Sequence, residues 1–246
     1  MPVDIIDLEE VVDTWAWNSY EKTRSDKTLK LKDIRMDINW FAVSFVTEKP
    51  TYSRAVIVEP ISQVIFKSVF CNESDAEQSH SLKTERQTTA TCTSSLTKGC
   101  TKGFNVGLTL AAPGDIAKAS VGFEKGFSIE NAKETSDQKT LTWATEGSLT
   151  VKAKSTLIAE LQIKEMQYKY SFSSKVAIHG QVTVSIYNRL NNNFIMSVMG
   201  DMKAILVADQ NIPKIETLGK TAYIELIGKC EFQFGIEQHL KCYSGK

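Results

Sequence analysis

The stretch KGFNVGLTLAAPGDIAKASVGFEKGF, residues 102–127, carries the most information about the fold. Apolar side chains recur at even positions on its first arm and at odd positions on its second arm. Alternation with a period of two is typical of β-strands that have one apolar face. A turn centred on Pro113 and Gly114 predicts a hairpin in which each apolar side chain meets another on one face. The predicted apolar set is Phe104, Val106, Leu108, Leu110, Ala117, Ala119, Val121 and Phe123.

The opposite face of this predicted hairpin is polar or small, with Asn105, Thr109, Lys118, Ser120 and Glu124. Each arm runs about nine residues, close to the length at which a tilted strand crosses the hydrocarbon core of a bilayer. Because Pro113 disfavours the usual two-residue turns, residues 112–115 can form a four-residue loop without changing the register.

The base of the predicted hairpin is marked by two lysines. In the same register Lys102 lies opposite Lys125, one step outside the pair of Phe104 and Phe123. Interfacial aromatic rings followed by lysines that reach water are typical of the end of a lipid-facing strand. Phe127 and Ile129 continue the alternation, so the apolar band can extend below Phe123.

Two interpretations of this hairpin compete. An amphipathic hairpin can be half of an ordinary sheet with its apolar face in the protein core. Its flanks favour insertion into a membrane instead, because residues 73–102 and 134–156 are rich in Ser and Thr and poor in large apolar side chains. Threonine has a strong β preference but buries little apolar area, which predicts long, well-solvated strands on either side.

The remainder of the chain is predicted to be one helix and many strands. Apolar residues at spacings of three and four predict a helix over about residues 5–21. Alternating, β-branched segments follow at 34–42 and 55–70, and again in YKYSF, QVTVSIYN and TAYIELIGKCEFQFGI. The fold class is therefore mainly β, an elongated protein of long antiparallel strands with a small helix-containing head.

The order of these elements resembles the aerolysin, epsilon-toxin and mosquitocidal-toxin superfamily, over roughly residues 55–242. The resemblance lies in pattern and composition rather than in an invariant motif. It implies a head region at 1–72 for receptor binding and a pore-forming module at 73–246, with an insertion hairpin at about 103–129. No recognisable lectin domain accompanies the module.

The resemblance also implies a sequence of events. A secreted, soluble monomer assembles on a target membrane, typically as a heptamer, and refolds its hairpin into a transmembrane β-barrel. The apolar side chains then face lipid and the polar set faces a lumen that passes ions and small solutes. The role is that of a cytolysin, a toxin or a host-defence protein. The alternative is a non-lytic binding module of the same fold, such as a lectin or a carrier.

Composition argues against several other classes of function. Lys plus Arg equal Asp plus Glu at 29 each, so the positive field that nucleic-acid binding requires is missing. Five cysteines without a CxxC pair and three scattered histidines predict no metal site, and we expect no cofactor. Gly219, Lys220 and Thr221 resemble the end of a phosphate-binding loop, but Lys214 stands where its first glycine is required. Neither GxSxG nor HExxH occurs, so no enzyme is predicted.

Two further hypotheses concern the ends of the chain. Trp15, Trp17, Tyr20 and Trp40 could form an aromatic receptor patch for a glycan or lipid head group, or could pack in the core. In the family a C-terminal segment is often removed before activation, and a disulfide between Cys230 and Cys242 could clamp that end; both can equally be buried thiols or a plain crosslink.

Two features near the start of the chain bear on export. The acidic start MPVDIIDLEE does not resemble a signal peptide, which implies prior removal of a signal or unconventional export. Asn72, Glu73 and Ser74 form a glycosylation sequon, a tripeptide that often arises by chance.

Overall fold

A computed structural model describes residues 4–24, 27–101, 108–129, 134–210, 212 and 215–245. A 3-10 turn at Leu31–Asp33 accompanies three helices: α1 (Leu8–Thr23), α2 (Gly114–Lys118) and α3 (Met202–Ala208). The strands are β1 (Asp4–Asp7), β2 (Ile34–Asn39), β3 (Val43–Thr47), β4 (Thr51–Tyr52), β5 (Val56–Asn72), β6 (Gln78–Thr101), β7 (Leu108–Leu110), β8 (Phe127–Ile129), β9 (Thr135–Val151), β10 (Ser155–Asn188), β11 (Phe194–Asp201), β12 (Glu216–Leu218) and β13 (Thr221–Ser244). The prediction of a mainly β protein built from long strands is confirmed.

The fold is organised around β10, a continuous strand of 34 residues. Fully extended, a strand of this length spans roughly 110 Å. Antiparallel β13 pairs with one edge of β10 from Leu157 to Ile178, and β5 pairs with the other edge from Ser155 to Lys169. The predicted boundary at residue 72 therefore follows a strand that runs along the long sheet, and the division into two regions stays a prediction.

The two Ser/Thr-rich segments form strands that pair with each other. β6 and β9 are antiparallel in an unbroken register from Gln78 opposite Val151 to Ser94 opposite Thr135. In β9 only Val151 is buried, whereas the second half of β6 turns alternate side chains such as Ala90 and Cys92 into the core. The predicted solvation of these strands therefore holds for β9 and for only one face of β6.

The predicted helix exists but begins later than expected. Residues Asp4–Asp7 form β1, which pairs in parallel with the end of β6, so the chain enters the helix from a strand. The Asp7 carboxylate caps the helix by accepting hydrogen bonds from the backbone N–H groups of Glu9 and Glu10. The apolar stripe of α1 is buried and consists of Leu8, Val12, Ala16 and Tyr20. It packs against β2 and β11, which pair with the end of β10 in what we name the head sheet.

At the far end of the long strands, Asn72 closes the connections. Its side-chain amide donates hydrogen bonds to the carbonyl oxygens of Ala76, Val151 and Lys152 at 2.7, 3.1 and 3.0 Å. Its carbonyl oxygen accepts hydrogen bonds from the backbone and hydroxyl of Ser74 at 2.9 and 2.7 Å. The residue is 2% exposed. One buried side chain thus joins the turn after β5 to the turn after β9.

Gly180 marks the point where β10 changes partners. Before it, β10 pairs with β13 and β3; after it, β10 pairs with β11 and β2 in the sheet of the head. Its φ of +110° is a conformation that only glycine adopts readily. A Cβ placed here would lie 2.0 Å from the carbonyl oxygen of Ala42, a backbone atom that cannot rotate away.

We predict that Gly180→Ala lowers the free energy of unfolding by at least about 2 kcal/mol, because it combines a strained φ with a backbone clash. Chemical denaturation checks this. Gly147→Ala in β9 is the matched control, since its Cβ would meet nothing within 4 Å, and its effect should stay within about 1 kcal/mol. Equal stabilities of the two variants would contradict the strain and the backbone clash inferred at Gly180.

Candidate membrane-inserting segment

Residues 108–129, which we name the tucked segment, fold back on the body of the protein. β7 and β8 pair in an antiparallel ladder with Leu108 opposite Ile129 and Leu110 opposite Phe127. Between these strands lie the short helix α2 and an irregular loop in which Ser120, Gly122 and Gly126 have positive φ. The segment is therefore a compact helix-containing hairpin.

The predicted pairing does not occur in this structure. Leu110 meets Phe127 instead of Ala117, a shift of ten residues, and Leu108 meets Ile129 instead of Ala119. The expected partners of Val121 and Phe123 are Val106 and Phe104; these two, with Lys102 and Asn105, lie outside the described residues.

The cause of the difference is at the predicted tip. Pro113 and Gly114 start α2 rather than a β-turn, and the Pro113 carbonyl accepts a hydrogen bond from the N–H of Ala117 at 2.9 Å. Proline suits a helix start because the first backbone N–H groups of a helix have no partner within it. The helix also buries Ile116, which is 1% exposed and which a hairpin tip would leave in water.

The predicted separation of apolar and polar side chains is nevertheless largely present. Leu108, Leu110, Val121, Phe123, Phe127 and Ile129 are all buried. Thr109, Lys118, Ser120 and Glu124, the described members of the expected polar face, are all exposed, as is Lys125. Ala119 is an exception, because it is exposed although it belongs to the expected apolar set, and Ala117 is half-buried.

Aromatic contacts hold the apolar face of the tucked segment against the long sheet. The ring of Phe123 lies edge-on to Phe232 of β13, with 5.5 Å between ring centroids. Phe127 makes similar contacts with Phe232 at 5.6 Å and with Phe172 of β10 at 6.2 Å. Edge-to-face pairs add to the burial energy of the rings, so these contacts supply much of the attachment.

Only a few hydrogen bonds between side chains and the tucked segment join it to the body. The Tyr170 hydroxyl donates to the Asp115 carboxylate at 2.6 Å, and the Thr47 hydroxyl donates to the Thr109 carbonyl at 2.8 Å. Tyr52 donates in the same way to the carbonyl of Ala111 at 2.5 Å. Burial, followed by the hydrogen bond to Asp115, raises the pKa of Tyr170 above its ordinary value, so it remains a donor across the accessible pH range.

The four residues of the predicted aromatic receptor patch are buried or half-buried in this structure, and receptor binding by them stays a prediction. Tyr20 is 3% exposed and belongs to the core, and Trp15, Trp17 and Trp40 are half-buried and pack against it. These contacts agree with the core alternative, and Trp17 also lines an open groove.

The predicted disulfide between Cys230 and Cys242 is also wrong for this conformation. Both residues lie on β13, whose extended backbone separates them by roughly 40 Å, whereas a disulfide needs Cα atoms within about 7 Å. All five cysteines are free. Burial raises the pKa of Cys230 to about 12, which keeps it protonated and unreactive.

Strand β5 has an open apolar edge that was not predicted from the sequence. Within the described residues β5 pairs only with β10, so its other edge has no strand beside it. Val56, Ile57, Ile61, Val64 and Val69 are each more than half exposed along this strand. An open edge with exposed apolar side chains is a surface that favours association with another chain. The excess of Val and Ile over residues 56–69 was the available signal.

No group of three or more potential metal ligands occurs among the described residues. None of the described helices combines the length and apolar character needed to span a bilayer.

Comparison with solved structures places the fold. A non-toxic crystal protein from Bacillus thuringiensis matches 98% of this chain and 97% of its own, with 12% identity and a TM-score of 0.51. The Mpp75Aa1.1 β-pore-forming protein from Brevibacillus laterosporus matches over 98% and 90%, with 13% identity and a TM-score of 0.46. An aerolysin-like protein from Bombina maxima matches over 81% and 100%, with 12% identity and a TM-score of 0.26.

By sequence, no family model and no curated protein matches the chain. The chain shares the long-stranded fold of the Bacillus thuringiensis crystal protein, which supports the predicted aerolysin-like fold.

We predict that Tyr170→Phe loosens the tucked segment without unfolding the protein, because it removes one hydrogen bond to a charged acceptor worth about 1–2 kcal/mol. Hydrogen exchange of the backbone amides in residues 110–118 should accelerate about tenfold, while exchange in β10 and β13 stays unchanged. Tyr223→Phe is the control, since no hydrogen bond to the described residues is formed by its hydroxyl. Equal exchange in both variants would show that the Tyr170 contact does not restrain the segment.

Proposed function

We propose that this protein is a pore-forming protein that is secreted as a soluble monomer, assembles on a target membrane and inserts the hairpin at about 103–129 into a β-barrel. The observation that carries the proposal is the amphipathic tucked segment. Its apolar side chains are stored against the body by packing, while its polar side chains already face water. When the tucked segment leaves the body, its apolar side chains move from the protein core into lipid. They are therefore kept out of water in both the soluble and the inserted form.

The apolar pattern supports the register centred on Pro113 and Gly114 for the inserted state. Extending the β7–β8 ladder instead would pair Ala112 with Lys125 and place this lysine in the middle of the lipid-facing surface. A lysine near the bilayer midplane costs about 2–4 kcal/mol. In the proposed register Lys125 and Lys102 lie at the base, near head groups and water. Insertion then requires the segment to break its β7–β8 pairs and unfold α2.

Assembly must accompany insertion. A single hairpin in lipid leaves two unpaired backbone edges, and each unsatisfied polar group costs several kcal/mol. A closed ring removes both edges and places Asn105, Thr109, Lys118, Ser120 and Glu124 around an aqueous lumen that passes ions. The open apolar edge of β5 supports contact between neighbouring copies. A heptamer is the stoichiometry suggested by the family resemblance.

The remaining parts of the proposal concern partners and place of action. The head region at 1–72 contacts a receptor or lipid, and the module at 73–246 forms the pore. Lysis of a target cell, in attack or in defence, is the expected outcome. Equal numbers of acidic and basic residues argue against nucleic acid as a partner.

A non-lytic binding module is the second candidate. It is favoured by the match to a non-toxic crystal protein, although 12% identity shows the fold alone. In that case the apolar face of the tucked segment serves only as core. The two candidates differ in whether the segment leaves the body at a membrane.

We predict that tethering the tucked segment blocks leakage of dye-loaded vesicles. Thr109 is exposed on β7 and Thr47 is half-buried on β3, and the Thr47 hydroxyl bonds to the Thr109 carbonyl. In a background with Cys71→Ser and Cys242→Ser, Thr47→Cys and Thr109→Cys are bridged with a cleavable bis-methanethiosulfonate. The bridged protein should leak vesicles at least about tenfold more slowly, because β7 cannot leave the body. Reduction should restore the rate.

The two single-cysteine variants, treated with the same reagent, are the matched controls and should leak at the parent rate. Full leakage while the bridge is intact, confirmed by mass spectrometry, would show that this segment does not insert. Parent protein that neither leaks vesicles nor forms detergent-resistant oligomers would overturn pore formation and favour the binding module. Leu108→Lys is unsuitable for this purpose, since Leu108 is buried and a lysine there would disturb folding.

A further inference from the structure

The head contains an open groove between α1 and the segment at residues 31–36. Its volume is about 900 Å³, within the range of sites that bind small molecules. We name it the head groove. The residues lining it are Asp7, Glu9, Glu10, Asp13, Thr14, Trp17, Leu31, Lys32, Ile34, Arg35, Met36 and Arg189. None of them belongs to the tucked segment.

One wall of the head groove is acidic. Asp7, Glu9, Glu10 and Asp13 lie at or near the first turns of α1. Burial raises the pKa of Asp13 from 3.8 to about 6, and the charges of Glu9 and Asp7 add to the shift. The Oδ1 atom of Asp13 is buried and has no hydrogen-bond partner among the described residues. A buried carboxylate without a hydrogen-bond partner is stabilised in its ionised form when a cationic ligand binds beside it.

The opposite wall is basic and is held in place by its own contacts. Hydrogen bonds hold both the backbone and the side chain of Arg189. Its backbone N–H donates to the Asp33 carbonyl at 2.8 Å, and its Nε donates to the Ile34 carbonyl at 3.1 Å. Arg35 is bonded to both oxygens of Asp37 at 2.8 Å and lies over the ring of Tyr187. Lys32 stands exposed in the 3-10 turn between them.

The two charged walls do not neutralise each other. No ion pair within 4 Å joins an acidic residue of α1 to Lys32, Arg35 or Arg189 in the described parts of the chain. A free anion would meet the acidic wall and a free cation would meet the basic wall, so neither fits the whole groove. A ligand that carries both charges fits it.

The indole of Trp17 lines the same groove beside the acidic wall. The Arg24 guanidinium already lies over the Trp17 ring, 5.3 Å from its centroid, so Trp17 has a cation–π partner of its own. Carboxylates are the usual partners of ammonium groups. Planar guanidinium groups and lysines are the usual partners of phosphate. These preferences assign the ammonium end of a ligand to Asp13, and its phosphate end to Lys32 and Arg189.

We propose that the head groove binds a zwitterionic phosphate ester, phosphocholine or phosphoethanolamine, as displayed by phospholipid head groups. The proposal rests on the proposed function only for the lipid as source of this ligand. It would give the protein a membrane contact that is separate from the tucked segment.

Soluble probes test the groove itself. Isothermal titration of the parent protein at about pH 7.5 with phosphocholine should show binding at least about tenfold tighter than with inorganic phosphate or tetramethylammonium, each of which satisfies one wall. Asp13→Asn and Lys32→Ala should each weaken phosphocholine binding at least about fivefold. Glu146→Gln is the matched control, because it removes one carboxylate from an exposed pair on β9 and should leave binding unchanged. Equal affinity for all probes would overturn the proposal.

The pH dependence gives a second readout. Asp13 is ionised above about pH 6 in the folded protein, so the parent should bind glycerophosphocholine, a phosphodiester that does not itself titrate in this range, more weakly as the pH falls from about 7.5 to 5. Binding by Asp13→Asn should change much less over this range.

The same group affects stability. The pKa of Asp13 is higher in the folded protein than in the unfolded chain, so the folded protein binds the proton more tightly. Asp13 therefore makes the parent less stable as the pH rises from about 4 to 6. Asp13→Asn should therefore raise the melting temperature at about pH 7 more than at pH 4. Parallel pH profiles would contradict the role of Asp13.

Vesicle sedimentation distinguishes the source of the ligand. Parent protein should sediment with phosphatidylcholine vesicles and much less with phosphatidylglycerol vesicles, and Asp13→Asn should lose this preference. Binding of soluble phosphocholine without vesicle binding would overturn the lipid source. The bridged Thr47 and Thr109 variant should still sediment with vesicles without leaking them, so failure of the head groove and failure of pore formation give different results.

Discussion

The backbone ladder of β10 is the constraint on which the other elements depend. A strand of 34 residues cannot bury its polar backbone by itself, so it needs partners along both edges over most of its length. β13 and β5 supply them in the long sheet, and β11 and β2 supply them in the head. Because one strand belongs to both sheets, the head and the long sheet are joined by covalent backbone and not by a flexible linker. The change of partners occurs at Gly180, whose positive φ and close contact with Ala42 exclude a side chain.

The tucked segment depends on that ladder but contributes little to it. Its own strands, β7 and β8, are three residues each and pair only with each other among the described elements. Its attachment comes from aromatic packing on Phe172 and Phe232 and from a few side-chain hydrogen bonds. Segments with few backbone bonds to the rest of a fold occupy the low end of local stability. The long sheet can therefore keep its pairing if this segment moves.

Sequence patterns predicted the parts of the fold that depend on local alternation. The spacing of Leu8, Val12 and Ala16 gave α1, and the parity of Leu108 and Phe123 gave the two faces of the tucked segment. The first residues of the predicted helix became β1, because its partner lies about 94 residues away on β6, beyond any local signal. The same limit applies to α2. Pro113 and Gly114 are compatible with a turn and with a helix start, and the choice depends on the burial of Ile116 against the distant sheet.

The candidate sites show a similar division. Tryptophans on a helix are compatible with a binding patch and with a core, and the packing of β2, β11 and α3 against α1 favours the core. The predicted disulfide does not form because Cys230 and Cys242 lie far apart on one extended strand. The alternating pattern around Cys230 already indicated a strand there. Opposed charged walls in the head groove arise from residues that are distant in sequence, namely Asp13 and Arg189. No spacing rule could bring them together.

The buried position of Asn72 has a consequence for production of the protein. Its sequon is complete, but N-glycosylation attaches the sugar to the amide nitrogen that here donates to three carbonyl oxygens. A glycan at that nitrogen cannot coexist with a side chain that is 2% exposed. A eukaryotic secretory host that modifies the unfolded chain would therefore yield a fraction unable to close the end of the long sheet, whereas a bacterial host would not create this fraction.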